Sequence, residues 1–311
     1  MNLSIVIPAF QAAKTIPATL ASILAAPLPE GWCLDVVVVD DGSPDSAALA
    51  SAVSSYPAVM LFRLPQNQGK TKAMNEGIAR TTGDVVILLD ADDTLVSGWP
   101  TVLERVVANW PRECPICFTA CRTPDGRVTV THPDYSGPLS FEDMLAERFS
   151  GEYLPMFWGG DLRGAGGYRD PGGLWGCEML TYLGFAKKHP LWISAEVIRV
   201  YYAGRPGSLS DSVMRASGAA NVSLCYDFVF DAYGEDYRHL APRAYRRRRL
   251  RQAVFAAIAG EARAMALWRN AIHWRFPIES AAALVLVLSR GRIGLGMVRL
   301  GKRLGLLRRF G

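Results

Sequence analysis

The sequence predicts an α/β protein: a mostly parallel sheet flanked by helices, followed by a basic helical C-terminal appendage. Three observations carry that expectation. Short apolar runs alternate with stretches of helical periodicity four times within about the first 90 residues, the signature of a parallel sheet covered on both faces. Runs such as VVVV at 36–39 lack polar alternation, as strands buried on both sides do. The charge is split, with 18 Lys/Arg against 27 Asp/Glu in residues 1–240 and 16 against 2 in residues 241–311. An acidic body with a basic tail requires two separate explanations.

The elements follow in order. LSIVIP (3–8) is an apolar run stopped by proline, hence a buried strand. Ile16, Leu20, Ile23 and Leu24 then recur at helical spacing, with Pro17 at a helix start. LDVVVVD (34–40) is the second strand; DGSPDS turns the chain into an alanine-rich helix reaching about Ser55. VMLFRL (59–64) is the third strand, a helix covers about 70–81, and VVILL (85–89) is the fourth strand. Leu103, Val106, Val107 and Trp110 mark another amphipathic helix. PICFTAC and RVTVTH flank a T-P-D-G turn and read as a hairpin, SFED (140–143) as a helix capping box. Residues 151–176, rich in glycine and aromatics without periodicity, read as irregular loops on the same sheet edge, before a helix near 177–188.

Composition excludes some classes. The longest aliphatic run, Ala281 to Leu288, has eight residues against the roughly 20 that cross a bilayer, so no spanning helix is expected. Met1 to Phe10 shows neither basic leader nor cleavage site, so a cytoplasmic protein is expected. For the same reason a disulfide framework is not expected among the six cysteines, and Cys114, Cys117 and Cys121 read as buried free thiols. Neither G-x-x-x-x-G-K-[ST] nor G-x-G-x-x-G occurs, which argues against a P-loop NTPase and a dinucleotide enzyme.

In open α/β sheets ligands bind beyond the carboxyl ends of the strands. Asp40 and Asp41 end the second strand; Asp90, Asp92 and Asp93 end the fourth. Clustered carboxylates repel and raise one another's pKa unless a cation intervenes. D-A-D-D is therefore either a polar turn or a site for a hard divalent cation, Mn²⁺ or Mg²⁺, which needs few protein ligands when it arrives with a diphosphate.

SIVIPAF (4–10), VVVVDDGS (36–43), N-x-G-x-x-x-A-x-N-x-G-I (67–78), DADD (90–93), GGY (166–168), GCE (176–178) and RPGSLS (205–210) resemble, in order and spacing, the inverting family 2 glycosyltransferases of GT-A, Rossmann-like fold. The resemblance covers about residues 1–210. It implies a catalytic domain over 1–240, with a nucleotide-sugar-binding half (1–120) and an acceptor half (121–240); charge and spacing mark a basic amphipathic helical region over 241–311. It implies that Phe10 and Asp40 hold the nucleotide base, that Asp90 lies near the ribose, and that Asp92 ligates the divalent metal bridging the donor diphosphate. Asp41 and Lys70 would lie near the nucleotide, and Arg205 would contact the diphosphate. The catalytic base falls on Glu178, where the family usually writes Glu-Asp and this chain writes Cys177-Glu178. Gln11 stands where the family usually has asparagine.

The implied reaction transfers sugar from a nucleoside-diphosphate donor to a hydroxyl of a growing or lipid-linked surface glycan, as in polysaccharide biosynthesis. Two alternatives stand beside it: a non-catalytic nucleotide-sugar-binding protein with a degenerate base position, and a metal-dependent nucleotidyltransferase. For the tail, with its arginines, Trp268, Trp274 and Phe276, three readings remain open. They are peripheral contact with the cytoplasmic face of a membrane, helices packed with a solvated basic face, and nucleic-acid binding, the last unsupported by any recognition motif.

Overall fold

The computed structural model describes residues 1–172, 176–204, 213, 215–272 and 277–289, with side chains from 280 in the last segment. The chain divides into two compact units, one formed by residues 1–144 and 148–203, the other by residues 145–147 and 204–311. The division thus falls at Ala203, and residues 204–240 group with the C-terminal helices.

The first unit holds nine strands: β1 (Asn2–Ala9), β2 (Cys33–Asp40), β3 (Val59–Arg63), β4 (Val85–Leu88), β5 (Thr94–Leu95), β6 (Ile116–Arg122), β7 (Gly137–Leu139), β8 (Tyr153–Trp158) and β9 (Leu191–Val200). They form one sheet in the order β3-β2-β1-β4-β8-β6-β9-β5, with β7 on β9. The four N-terminal strands are parallel, and β8 runs antiparallel to both β4 and β6. The helices are α1 (Ile16–Leu24), α2 (Ser46–Ser54), α3 (Lys70–Ile78), α4 (Trp99–Asn109), α5 (Phe141–Leu145), α6 (Gly159–Gly164) and α7 (Met179–Ala186).

Period-2 geometry sends successive side chains to opposite faces of a strand. Leu3, Ile5 and Ile7 of β1 accordingly join Ile16, Leu20 and Ile23 of α1 and Trp99 and Leu103 of α4 on one face. Val6, Val86 and Leu88 meet Met74 and Ile78 of α3 on the other. Both faces are dry, which is why these strands carry no polar alternation. Gly77 permits the close approach of α3, because a Cβ there would sit 2.3 Å from Val6 Cγ1.

Two expectations change. Residues 153–164, expected as loop, form β8 and α6. Pro155 obscured the strand, since a proline cannot donate in the middle of a sheet. Here β4 pairs only Met156 to Trp158, so at Pro155 the strand has β6 alone as neighbour. The hairpin after β6 is truncated to a single bridge, Arg122 to Val128. Cys33, Cys114, Cys117 and Cys121 are free, and the last three are buried. Burial raises the thiol pKa of Cys114, Cys117 and Cys121, the last to about 11, so all three stay protonated near neutral pH. The capping box is present: Ser140 Oγ accepts from the Asp143 amide at 3.0 Å, and the Ser140 amide donates to Asp143 Oδ2 at 3.2 Å.

The second unit contains α8 (Ala216–Leu240), α9 (Pro242–Ile258), α10 (Ala264–Ala271) and α11 (Pro277–Leu288). Small residues build its core: Ala253, Ala256, Ala257 and Ala264 pack with Val287, and Leu250 with Ala271 and Ala283. Part of the basic charge is used internally. Arg248 and Arg251 pair with Glu147 at 2.8 and 3.0 Å, Arg263 with Asp227 at 2.6 Å, and Arg249 lies 4.0 Å over the Phe230 ring. Among the described residues no helix is long and apolar enough to cross a membrane. Residues 291–311, the last stretch of the basic tail, and the side chains of Trp274 and Phe276 lie outside the described residues.

Candidate active site

The parallel order β3-β2-β1-β4 brings the carboxyl ends of β1, β2 and β4 side by side, so the residues that follow them share one edge. Phe10 follows β1 and is 47% exposed, an open aromatic face. The next residue, Gln11, has φ +54, and its amide donates to Ser43 Oγ at 3.0 Å. Asparagine adopts this left-handed backbone more readily than glutamine, which accounts for asparagine being usual at that position.

Asp40 ends β2 almost fully buried; its Oδ1 accepts from the Ser43 amide at 2.8 Å and its Oδ2 lies 3.6 Å from Arg63 Nε. Asp41 points elsewhere. Its two oxygens accept from the amides of Gln68 and Gly69 at 2.7 and 2.9 Å, tying the β2 end to the loop before α3. Burial raises the Asp41 pKa, with those amides pulling the other way. Gly42 is required between them, because a Cβ there would lie 2.3 Å from the Gln66 carbonyl carbon.

Lys70 opens α3, and its Nζ lies 2.5 Å from Asp90 Oδ1. Burial would lower the Lys70 pKa, but Asp90 and Glu178 outweigh it and keep the ammonium firmly charged. Burial likewise opposes the Asp90 charge, while Lys70 and Arg199 overcome it and hold that carboxyl below the ordinary range. Glu178 is half-buried at the N-cap of α7. An anion is favoured at a helix N-terminus. Its charge acts on Lys70, Glu152, Tyr168 and Tyr182. Lys70, Asp90 and Glu178, which span 108 positions of the chain, thus share one polar cluster.

Asp92 is half-buried beside it. Among the described residues no three His, Cys, Asp or Glu side chains form a metal cage. One carboxylate suits a hard cation only when a diphosphate supplies further oxygens, which the donor set here permits. Arg205 lies outside the described residues.

The structure adds three residues that the sequence did not single out as site groups. Arg199, near the end of β9, is 4% exposed. Its guanidinium lies 3.3 Å from Asp93 Oδ2, 3.6 Å from Asp90 Oδ2 and 3.4 Å from Glu152 Oε2. Burial pushes the Asp93 carboxyl up to about 7, against the pull of Arg199. A strand with both faces buried hides an arginine only if carboxylates meet it, and those partners lie 47 to 109 positions away in sequence. Asn75 has a structural role: its side-chain amide donates to the Tyr168 carbonyl at 2.8 Å and accepts from the Tyr168 amide at 2.7 Å, pinning the GGY loop to α3.

Residues 4–154 match the family model described as glycosyl transferase family 2. An undecaprenyl-phosphate 4-deoxy-4-formamido-L-arabinose transferase of Pectobacterium carotovorum is 37% identical over 94 residues, 29% of this chain and 29% of that protein. The match therefore spans less than a third of that relative's length. Staphylococcus aureus TarS 1–349 in complex with UDP superposes with TM-score 0.56 at 15% identity, covering 100% of this chain and 94% of that one. The mannosyltransferase PcManGT of Pyrobaculum calidifontis, in complex with GDP-Man and Mn²⁺, gives TM-score 0.53 at 22% identity, covering 93% and 86%. The motifs on the β1, β2 and β4 edge, the family match over the same residues and the shared architecture agree: residues 4–154 match glycosyl transferase family 2, and the chain takes the GT-A fold.

Proposed function

We propose that the chain is an inverting glycosyltransferase that moves a sugar from a nucleoside-diphosphate donor to a hydroxyl of a growing or lipid-linked glycan. The observation that carries this reading is the convergence of Lys70, Asp90 and Glu178 on one edge of the family domain. The ligands of the structural neighbours, UDP in one and GDP-Man with Mn²⁺ in the other, support a nucleotide-sugar donor and a divalent cation. The undecaprenyl-phosphate transferase relative supports a lipid-linked acceptor.

In this mechanism Phe10 and Asp40 hold the base, and Lys70, kept cationic, faces the diphosphate while orienting Asp90. Glu178 takes the proton from the acceptor hydroxyl, whose oxygen forms a bond to the anomeric carbon as the bond to the diphosphate oxygen breaks. Attack from the opposite face inverts the linkage, and the nucleoside diphosphate departs. Asp92 would hold Mn²⁺ or Mg²⁺ together with the diphosphate; when bound, the ion neutralises charge on the leaving group. Asp92, half-buried, is a single carboxylate of the kind a hard cation shares with a substrate diphosphate.

Thermal shift of the full chain with UDP, GDP and dTDP and their sugar esters, with and without Mn²⁺, tests the reading. Ligand at about 100 times its dissociation constant adds about 2.7 kcal/mol. We expect a shift with one nucleotide family that needs the metal and disappears in Asp92→Ala. No shift with any donor would remove the enzyme reading and leave the fold.

A further inference from the structure

Four carboxylates, Asp90, Asp93, Glu152 and Glu178, share the cluster with two cations, Lys70 and Arg199. Asp93 and Asp90 already match the Arg199 charge, so Glu152 is not needed to neutralise it. An excess carboxylate is unfavourable there unless hydrogen-bond donors or a cation meet it. A second sign of incompleteness is Asp93 Oδ2, buried and without a hydrogen bond although Arg199 lies at ion-pair distance.

Glu152 differs from the other members in being tethered and open at once. Arg199 Nη2 donates to Glu152 Oε2 at 3.4 Å and to the Tyr153 carbonyl at 3.2 Å, while the Glu152 side chain is 43% exposed. Among the described residues its Oε1 has no hydrogen-bond partner. Arg199 is itself fixed, by its Nε contact to Cys121 Sγ at 3.1 Å and by burial.

Place and chemistry then select the ligand group. Glu152 immediately precedes β8, which lies three strand positions from β2 in the order β2-β1-β4-β8. At about 4.8 Å per strand that is roughly 14 Å from the end that carries Asp40. With the base at Asp40, the ribose near Asp90 and the diphosphate by Lys70, the next part of a nucleotide sugar along this edge is the sugar ring. A carboxylate only accepts hydrogen bonds. It repels phosphate and is matched by sugar hydroxyls.

Resting on the proposed function, we propose that Glu152 is a binding residue for hydroxyl groups of the donor sugar, and that Arg199 is the positioning residue that aims it. Arginine can bridge Glu152, Asp90 and Asp93 with one planar fork; lysine cannot.

Calorimetric titration of the full chain with UDP, GDP and dTDP and with their hexose esters, in Mn²⁺, tests this. Glu152→Gln should weaken the nucleotide sugar about tenfold, the loss of one charge-assisted hydrogen bond, and leave the bare diphosphate within about twofold. Arg199→Lys should show the same selective loss, and the double variant should be no weaker than the worse single one, since the two act through one contact. Equal weakening of both ligand forms, or none in a Glu152→Gln chain that melts like wild type, overturns the assignment. A wild-type chain that binds no nucleotide defeats the proposed function itself, a result distinct from the loss of Glu152 selectivity.

Discussion

In the proposed reaction Glu178 takes the place of an aspartate and reaches one methylene further from the α7 N-terminus. Its charge acts on Lys70 and on Tyr168 and Tyr182, two phenols hydrogen-bonded to each other at 3.2 Å. Burial keeps both tyrosines protonated far above neutral pH, so they can only be hydrogen-bonding partners there. Glu178→Gln should lower turnover by about 10²–10⁴-fold, the range lost with a general base, while nucleotide-sugar binding changes little. Steady-state rates and donor titration on the same preparation check this. An unimpaired rate would transfer the base role to another group. Asp41, by contrast, spends both oxygens on the loop before α3, which makes it a scaffold residue.

The helix α3 links three parts of the site at once. Its first residue supplies the cation, Gly77 seats it against β1, and Asn75 fastens the GGY loop, where Gly167 at φ +85 leaves only 2.5 Å between a built Cβ and Asn75 Oδ1. Asn75→Ala leaves the Tyr168 amide and carbonyl without their partner inside the protein. We expect a loss of about 1–3 kcal/mol in urea unfolding, with the larger functional effect on the adjacent Glu178 helix. An unchanged midpoint would show that water replaces the amide without cost. Strand β8 matters at the same level: it carries Glu152 to the edge and joins the parallel half of the sheet to β6 and β9.

Across the chain, the basic region is in part a stabilising device, since Arg248, Arg251 and Arg263 are ion-paired within their own unit. Exposed apolar positions on α11, Val285 at 47% and Leu288 at 65%, precede the arginine-rich residues 291–311. Apolar anchors followed by basic charge suit the surface of an anionic bilayer, at about 1 kcal/mol per basic residue near the lipid. The full chain should co-sediment with vesicles containing anionic phosphatidylglycerol, release as salt rises, and stay in solution with neutral phosphatidylcholine vesicles. Equal partition between the two vesicle types would remove membrane electrostatics from the account and leave the packed-helix reading.

The first four strands and their helices were legible because each rule behind them is local: apolar runs, turn residues and helical spacing act within about ten residues. The carboxyl-end aspartates were legible too, since strand direction alone assigns them to an edge. β8 was hidden because its proline is tolerated only where β4 pairing has stopped, a fact about the neighbouring strand rather than about YLPMFW. Arg199 and Glu152 were hidden for the same kind of reason. A buried charge is permitted by the groups that surround it, and Asp90, Asp93 and Glu152 reach Arg199 only after β4, β8, β6 and β9 have paired. Local residue patterns were enough for the first four strands, their helices and the acidic edge; the charge balance of the site depends on long-range packing, because electrostatic partners are chosen by distance in space.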